Sequence, residues 1–200
     1  MLDWSLALQQ IIQTMQANAL VALEILGLLW GIQIVNASLG YRLNVFGIYP
    51  RHPFGLIGIF TSPFLHGHWN HLFFNSIPLF LLLVLMLADG WNQFLNVTLN
   101  IMVISGLAVW LFGRKALHVG ASGVIMGYMG YLLTQAFYKP DAGAIVLGIL
   151  AIYYCGSILT SLFPSDAKTS WEGHVFGFAA GILAAMGYGI NFVGLFHHFF

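Results

Sequence analysis

A chain of 200 residues that is 60% hydrophobic and 6% charged, with mean hydropathy +0.87 and no formal net charge, cannot cover the surface of a soluble globule. Soluble domains carry about 25% charged residues. The composition describes an all-α integral membrane protein, and the absence of a basic run excludes a nucleic-acid partner. Cys155 is the only cysteine, so no intrachain disulfide can form and the redox compartment is not set. The N-terminus has neither a basic region nor a small-residue cleavage site, so no removable signal is expected. No internal repeat is visible.

Residues 1–16 carry Leu8, Ile11, Ile12 and Met15 at helical spacing among four glutamines, which predicts an amphipathic helix in the membrane interface. A first span is expected over 18–39. It holds Glu24, whose place near the helix start would let it reach headgroups or water. The connection over 40–70 has three prolines and two arginines beside Leu56, Ile57, Ile59 and Phe60. It is too broken to span and too apolar to float in water, so a partly re-entrant or interfacial element is expected. Further spans follow at His71–Ala88, Phe94–Phe112, Ser122–Tyr138 and Ala144–Phe163, and a sixth from Trp171 to Phe196. The expectation is a single six-span bundle over residues 1–200, in contact with the lipid bilayer.

Three polar sets stand out against this apolar background. Gly120-Ala121-Ser122-Gly123 is a small-residue turn opening the fourth span. Free backbone N–H groups at a helix start, beside a hydroxyl, suit a nucleophile with part of an oxyanion hole. The same string also suits plain helix packing. His71 and Asn75 lie four apart on one face of the second span. Both can donate hydrogen bonds to a developing oxyanion, or clamp two helices together. On the sixth span His174, Gly177 and Gly181 share a face, and Gly123, Gly127 and Gly130 offer matching small residues on the fourth. The starts of the second, fourth and sixth spans fall on one side of the membrane. The three sets therefore converge at one depth.

His66, His68 and His71 also raise a metal reading, since three imidazoles and a water are a common catalytic zinc set. With no helical His-Glu-x-x-His and no nearby carboxylate, no metal and no cofactor are expected. His118, His197 and His198 belong to no pattern and are read as interfacial.

The stretch from His66 through four residues to His71 and through three more to Asn75, then Gly120-Ala121-Ser122-Gly123, then Gly173-His174 with Gly177 and Gly181, resembles the rhomboid intramembrane serine proteases. The resemblance implies a Ser122 nucleophile and a His174 general base without a third acidic member. It implies an oxyanion hole from His71, Asn75 and the Ser122 N–H, a structural role for His66, Gly120 in the turn before the nucleophile, and close helix contact at Gly177 and Gly181. Residues 164–170 correspond to a cap over the site. The substrates implied are transmembrane segments of other membrane proteins, cleaved in a bacterial cytoplasmic membrane. The chain departs from the family at Met126, where a tyrosine is common, and lacks the Trp-Arg pair of many first loops.

Two rival readings remain from the residues: an inactive relative that binds membrane helices, and a transporter. The first would lack the serine or the histidine; the second would show repeat symmetry or paired intramembrane charges. Orientation is contested. Arg42, Arg51, Arg114, Lys115 and Lys168 lie on the side of the site and only Lys139 opposite, so the positive-inside rule turns the site to the cytoplasm. The resemblance turns it outward.

Overall fold

The computed structural model describes residues 4–138, 140, 142–155 and 170–197. The described chain is helical. In order it runs α1 (Trp4–Ser38), α2 (Gly58–Thr61), α3 (Trp69–Met86), α4 (Trp91–Phe112), α5 (Ser122–Tyr138), α6 (Ala142–Cys155), α7 (Trp171–Ala185) and α8 (Phe192–His197). Three helices among the described residues are long and apolar enough to cross a membrane: Leu8–Ser38, Trp69–Asp89 and Trp91–Phe112. Large apolar side chains such as Leu20, Phe74, Ile77, Phe137 and Tyr153 face outward. That surface is compatible with lipid and not with water, as expected of an integral membrane protein.

The centre of the bundle is α5. Every residue from Val124 to Leu132 is buried, and the helix packs against α3, α4, α6 and, most extensively, α7. A helix apolar all round belongs inside other helices. Ile125, Met126, Tyr128, Met129 and Tyr131 accordingly fill the core with Leu72, Leu82 and Ile101 from α3 and α4. The tyrosine hydroxyls are not stranded. Tyr128 shares a hydrogen bond with Thr98 Oγ1 at 2.7 Å, and Tyr131 accepts one from Gln93 Nε2 at 3.0 Å.

The α5–α7 contact is made of backbone. A Cβ at Gly177 would overlap the Gly123 carbonyl, one at Gly181 the Gly127 carbonyl, and one at Gly130 the Phe178 carbonyl. Glycine at these three positions lets two helix axes approach more closely than any side chain would permit.

Several boundaries differ from expectation. The interfacial helix and the first span are one continuous helix, because nothing between Met15 and Leu20 breaks it and its Gln, Met and Ala residues are good helix formers. Glu24 is therefore far from a helix start, yet it is exposed on the outer face. The sixth span does not reach Phe196. α7 stops at Ala185, Gly187 turns the chain at φ +83°, and α8 follows. Two asparagines of α4 hold that turn. Asn100 donates to the Ile190 carbonyl at 2.9 Å and accepts the Ile190 N–H at 2.8 Å, while Asn96 accepts the Phe192 N–H at 2.9 Å. The expected fifth span is described only to Cys155. Of the cap over 164–170, all but Ser170 lies outside the described residues, as do Lys139, Lys168 and His198.

The connection between α1 and α3 is packed structure. Short 3-10 turns at Arg42–Phe46, Pro53–Leu56 and Ser62–Phe64 flank α2. Gly58 lies against the backbone of Gly47 and Ile48, and Ile59 fills the space over Gly106 of α4. Ile48 pairs with His118 through two backbone hydrogen bonds of 3.0 and 2.9 Å, and Ser62 accepts the Gly120 N–H at 2.9 Å. The first loop is thereby fixed to the turn that opens α5.

Candidate active site

Ser122 is the first residue of α5, so its N–H has no acceptor within the helix. Gly120 makes the turn before it at φ +121°, a conformation suited to glycine. Space demands glycine there as well. A Cβ at Gly120 would lie 2.6 Å from His71 Cε1, 2.8 Å from His71 Nε2 and 3.6 Å from Asn75 Nδ2. The two α3 side chains thus converge on the backbone just ahead of Ser122.

From α7, His174 Nε2 lies 2.8 Å from Ser122 Oγ. His174 is buried, and Ser122 is half-buried. The helix contact at Gly123 and Gly177 brings the pair together. A hydroxyl in contact with an imidazole nitrogen, at a helix N-terminus and with N–H donors beside it, can lose its proton as it attacks a carbonyl.

His66 underpins the arrangement. It is fully buried, and its Nε2 receives Asn75 Nδ2 at 3.2 Å and the Ala121 N–H at 3.4 Å. Both are N–H donors, so Nε2 must be the acceptor and the ring is neutral with its proton on Nδ1. Burial, then the neighbouring imidazoles of His71 and His68, lowers its pKa from 6.5 to about 3; the Phe64 carbonyl opposes this. One imidazole thereby orients both the Asn75 amide and the Ala121 peptide.

His68 is exposed and caps α3, its Nδ1 accepting the His71 N–H at 3.0 Å. His66 Nε2 and His68 Nδ1 are thus both engaged by N–H donors of the protein. Met126 is fully buried one turn into α5.

His118 is not interfacial, as its sequence position suggested; it is 5% exposed. Its Nδ1 meets Ser170 Oγ and its Nε2 the Arg114 carbonyl at 3.1 Å, and burial lowers its pKa. Arg114 Nε lies 3.4 Å from the buried Glu172 carboxylate, which also accepts the Arg114 N–H at 3.3 Å. These contacts fasten the start of α7, two residues before His174, to the loop leading into Ser122. Nothing in the local sequence flags them, since the partners are more than fifty residues apart. A cavity of about 50 Å³ adjoins Ser122, lined in part by Ser62, Ser105, His118 and Ser170. These polar groups interrupt an otherwise apolar lining, and the cavity is large enough for a water molecule.

The sequence pattern of the rhomboid domain matches residues 53–190. An uncharacterized protein of Mycobacterium tuberculosis is 35% identical over 172 residues, covering 82% of this chain and 72% of that one. A second, from Mycobacterium leprae, is 30% identical over 172 residues, covering 82% and 68%. The rhomboid-type serine protease 2 of Debaryomyces hansenii is 27% identical over 156 residues, which is 72% of this chain and 54% of that protein. With the domain pattern running from the first loop through α7, the chain belongs to the rhomboid family.

Proposed function

We propose that this protein is an intramembrane serine endopeptidase that cleaves transmembrane segments of other membrane proteins through a Ser122–His174 dyad. The observation that carries the reading is the 2.8 Å contact between His174 Nε2 and Ser122 Oγ at the start of a buried helix. His174 takes the Ser122 proton as Oγ attacks the peptide carbonyl. The tetrahedral oxyanion is stabilised by His71, Asn75 and the Ser122 N–H; losing one such donor costs about 2.7–4 kcal/mol of barrier. His174 then protonates the leaving amine, the C–N bond breaks, and an acyl-enzyme remains. Water, deprotonated by His174, attacks the ester and releases the acid and Ser122. A membrane helix hides its peptide bonds, so the substrate must unwind locally, which favours Gly, Pro or small residues near the scissile bond.

The whole of residues 1–200 acts as one membrane domain on this reading. α5, α6 and α7 complete six spans with the three long helices, the 40–70 connection lies partly within the membrane, and residues 164–170 cover the site. The membrane is the bacterial cytoplasmic membrane, with the site facing outward against the positive-inside count. Reporter fusions at the C-terminus and near residue 139 report that orientation directly.

Labelling of the purified protein by a fluorophosphonate tests the activity. A covalent adduct on Ser122, absent from Ser122→Ala, is the expected result. An unlabelled but folded wild-type protein would favour an inactive rhomboid-like binder of membrane helices.

A further inference from the structure

The first membrane helix is fastened to the helix that carries His71 and Asn75. Trp30 of α1 donates from Nε1 to Ser76 Oγ of α3 at 3.1 Å. Ser76 Oγ in turn donates to the Leu72 carbonyl, one turn back, at 2.8 Å. The Trp30 ring stacks on Trp69, with centroids 6.0 Å apart and planes inclined by 30°. Trp69 and Ser76 are seven residues apart and so share one face of α3. One side chain of α1 thus grips α3 at its first residue and again two turns later. His71 and Asn75 fall between these two points, with their side chains against Gly120 in the turn that opens α5.

Pro78 gives this grip a purpose. It is buried inside α3 and has no N–H, so the Phe74 carbonyl loses the bond that would continue the helix. A hydroxyl bonded back to the carbonyl four residues earlier, as Ser76 is, weakens a helix in the same place. Residues 69–77 are therefore joined to the buried second half of α3, from Leu79 to Met86, less firmly than an unbroken helix would join them. The Asn75 amide has His66 Nε2 as a further support. The His71 ring lies against the His66 and His68 rings and takes its place from the backbone that carries it.

We propose that Trp30 is a positioning residue for the oxyanion hole. It holds the first two turns of α3, and with them His71 and Asn75, against the turn at Gly120. The break at Pro78 takes that task away from the helix itself. Trp30 acts through α3 and is not itself a catalytic residue. The kinetic consequence rests on the protease reading; the mechanical coupling between Trp30 and the first half of α3 does not.

The test combines Trp30→Leu with Pro78→Ala, which returns an N–H to the Phe74 carbonyl. Trp30→Leu should slow fluorophosphonate labelling of Ser122 about tenfold, within the roughly 10²-fold that a 1 Å misplacement costs. For a membrane-helix substrate the loss should fall on kcat with KM unchanged. Pro78→Ala alone should label as the wild type does, and in that background Trp30→Leu should cost no more than about twofold, the mark of two coupled sites. Hydrogen exchange in detergent micelles reads the coupling without any chemistry: Trp30→Leu should speed exchange over residues 73–77 and leave 79–86 unchanged. Trp30→Phe keeps a ring over Trp69 and loses the N–H. It should show the same pattern at smaller amplitude, and it serves where Trp30→Leu does not fold. Wild-type labelling by folded Trp30→Leu overturns the proposal. So does equal slowing in both backgrounds, or exchange that quickens along the whole of α3. If wild-type Ser122 does not label while the exchange pattern is as expected, the protease reading fails and the coupling stands.

Discussion

Gly177 and Gly123 touch through backbone: a Cβ on Gly177 would overlap the Gly123 carbonyl. Ser122 precedes one of these glycines and His174 lies one turn before the other. The separation of the two helices therefore sets the distance between hydroxyl and imidazole, 2.8 Å here. Gly177→Val should force α5 and α7 apart. Overpacking of this kind costs about 1–3 kcal/mol, and a displacement near 1 Å at reacting groups lowers rates about 10²-fold. Fluorophosphonate labelling and thermal unfolding in detergent read the two effects. Gly67→Ala, where a Cβ would meet nothing within 4 Å, should change neither.

Ser122→Ala and His174→Ala should each abolish cleavage of a membrane-helix substrate, by at least about 10³-fold, since the members of such a unit act together. Ser122→Ala removes one half-buried hydroxyl, so its melting temperature should stay near the wild type, while His174→Ala also removes a buried ring and should lower it further. Gel-resolved cleavage in proteoliposomes measures the first effect. Activity surviving in the serine variant would remove the assignment.

Acid should destabilise the fold through His66. Its pKa is about 3 in the folded state against 6.5 unfolded, so between those values the unfolded chain binds the extra proton. The contribution is present above about pH 6.5 and is lost as pH falls toward 3, at about 1.4 kcal/mol per unit within that window. His118, also lowered by burial, acts in the same direction. Unfolding followed from pH 7 to pH 4 should show the slope, and His66→Gln should reduce it.

The pair at the entrance to α7 should respond unequally to its two deletions. Glu172 is buried, with a side chain 6% exposed, while the Arg114 side chain is 34% exposed. Arg114→Ala leaves a buried carboxylate without its cation, a loss of up to about 3 kcal/mol once the solvent around Arg114 is allowed for. Glu172→Gln keeps the hydrogen-bonding shape and should cost less. Melting temperatures compare the two, and labelling of Ser122 shows whether a loosened α7 start also misplaces His174.

Asn100 clamps Ile190 by accepting its N–H and donating to its carbonyl. Asn100→Ala strands both backbone groups and should cost about 1–3 kcal/mol. Ser122 labelling by the folded fraction should be unaffected, because the clamp holds the opposite end of α7 from His174.

Much of this protein is legible in one dimension. Composition alone demands a membrane solvent, and apolar runs bounded by Gly, Pro and charge mark the helices; α5 begins and ends where the sequence pattern puts it, at Ser122 and Tyr138. Periodicity also places His71 with Asn75, and His174 with Gly177 and Gly181, because residues on one helix face are related by spacing alone. What spacing cannot supply is the identity of the neighbour. His118 reads as a surface residue until Ser170 closes over it, and Asn36 passes as an ordinary polar residue of a span until the first loop is laid against α1. The end of α7 is not legible in the sequence for the same reason, since the asparagines that catch Ile190 and Phe192 lie on α4. Whether a polar group is buried, and what it bonds there, depends on chain segments brought together only by folding. The sequence determined the helices and the residue types available for catalysis. Tertiary packing decided that Ser122 and His174 meet, and that His66 Nε2 lies against the Asn75 amide and the Ala121 N–H.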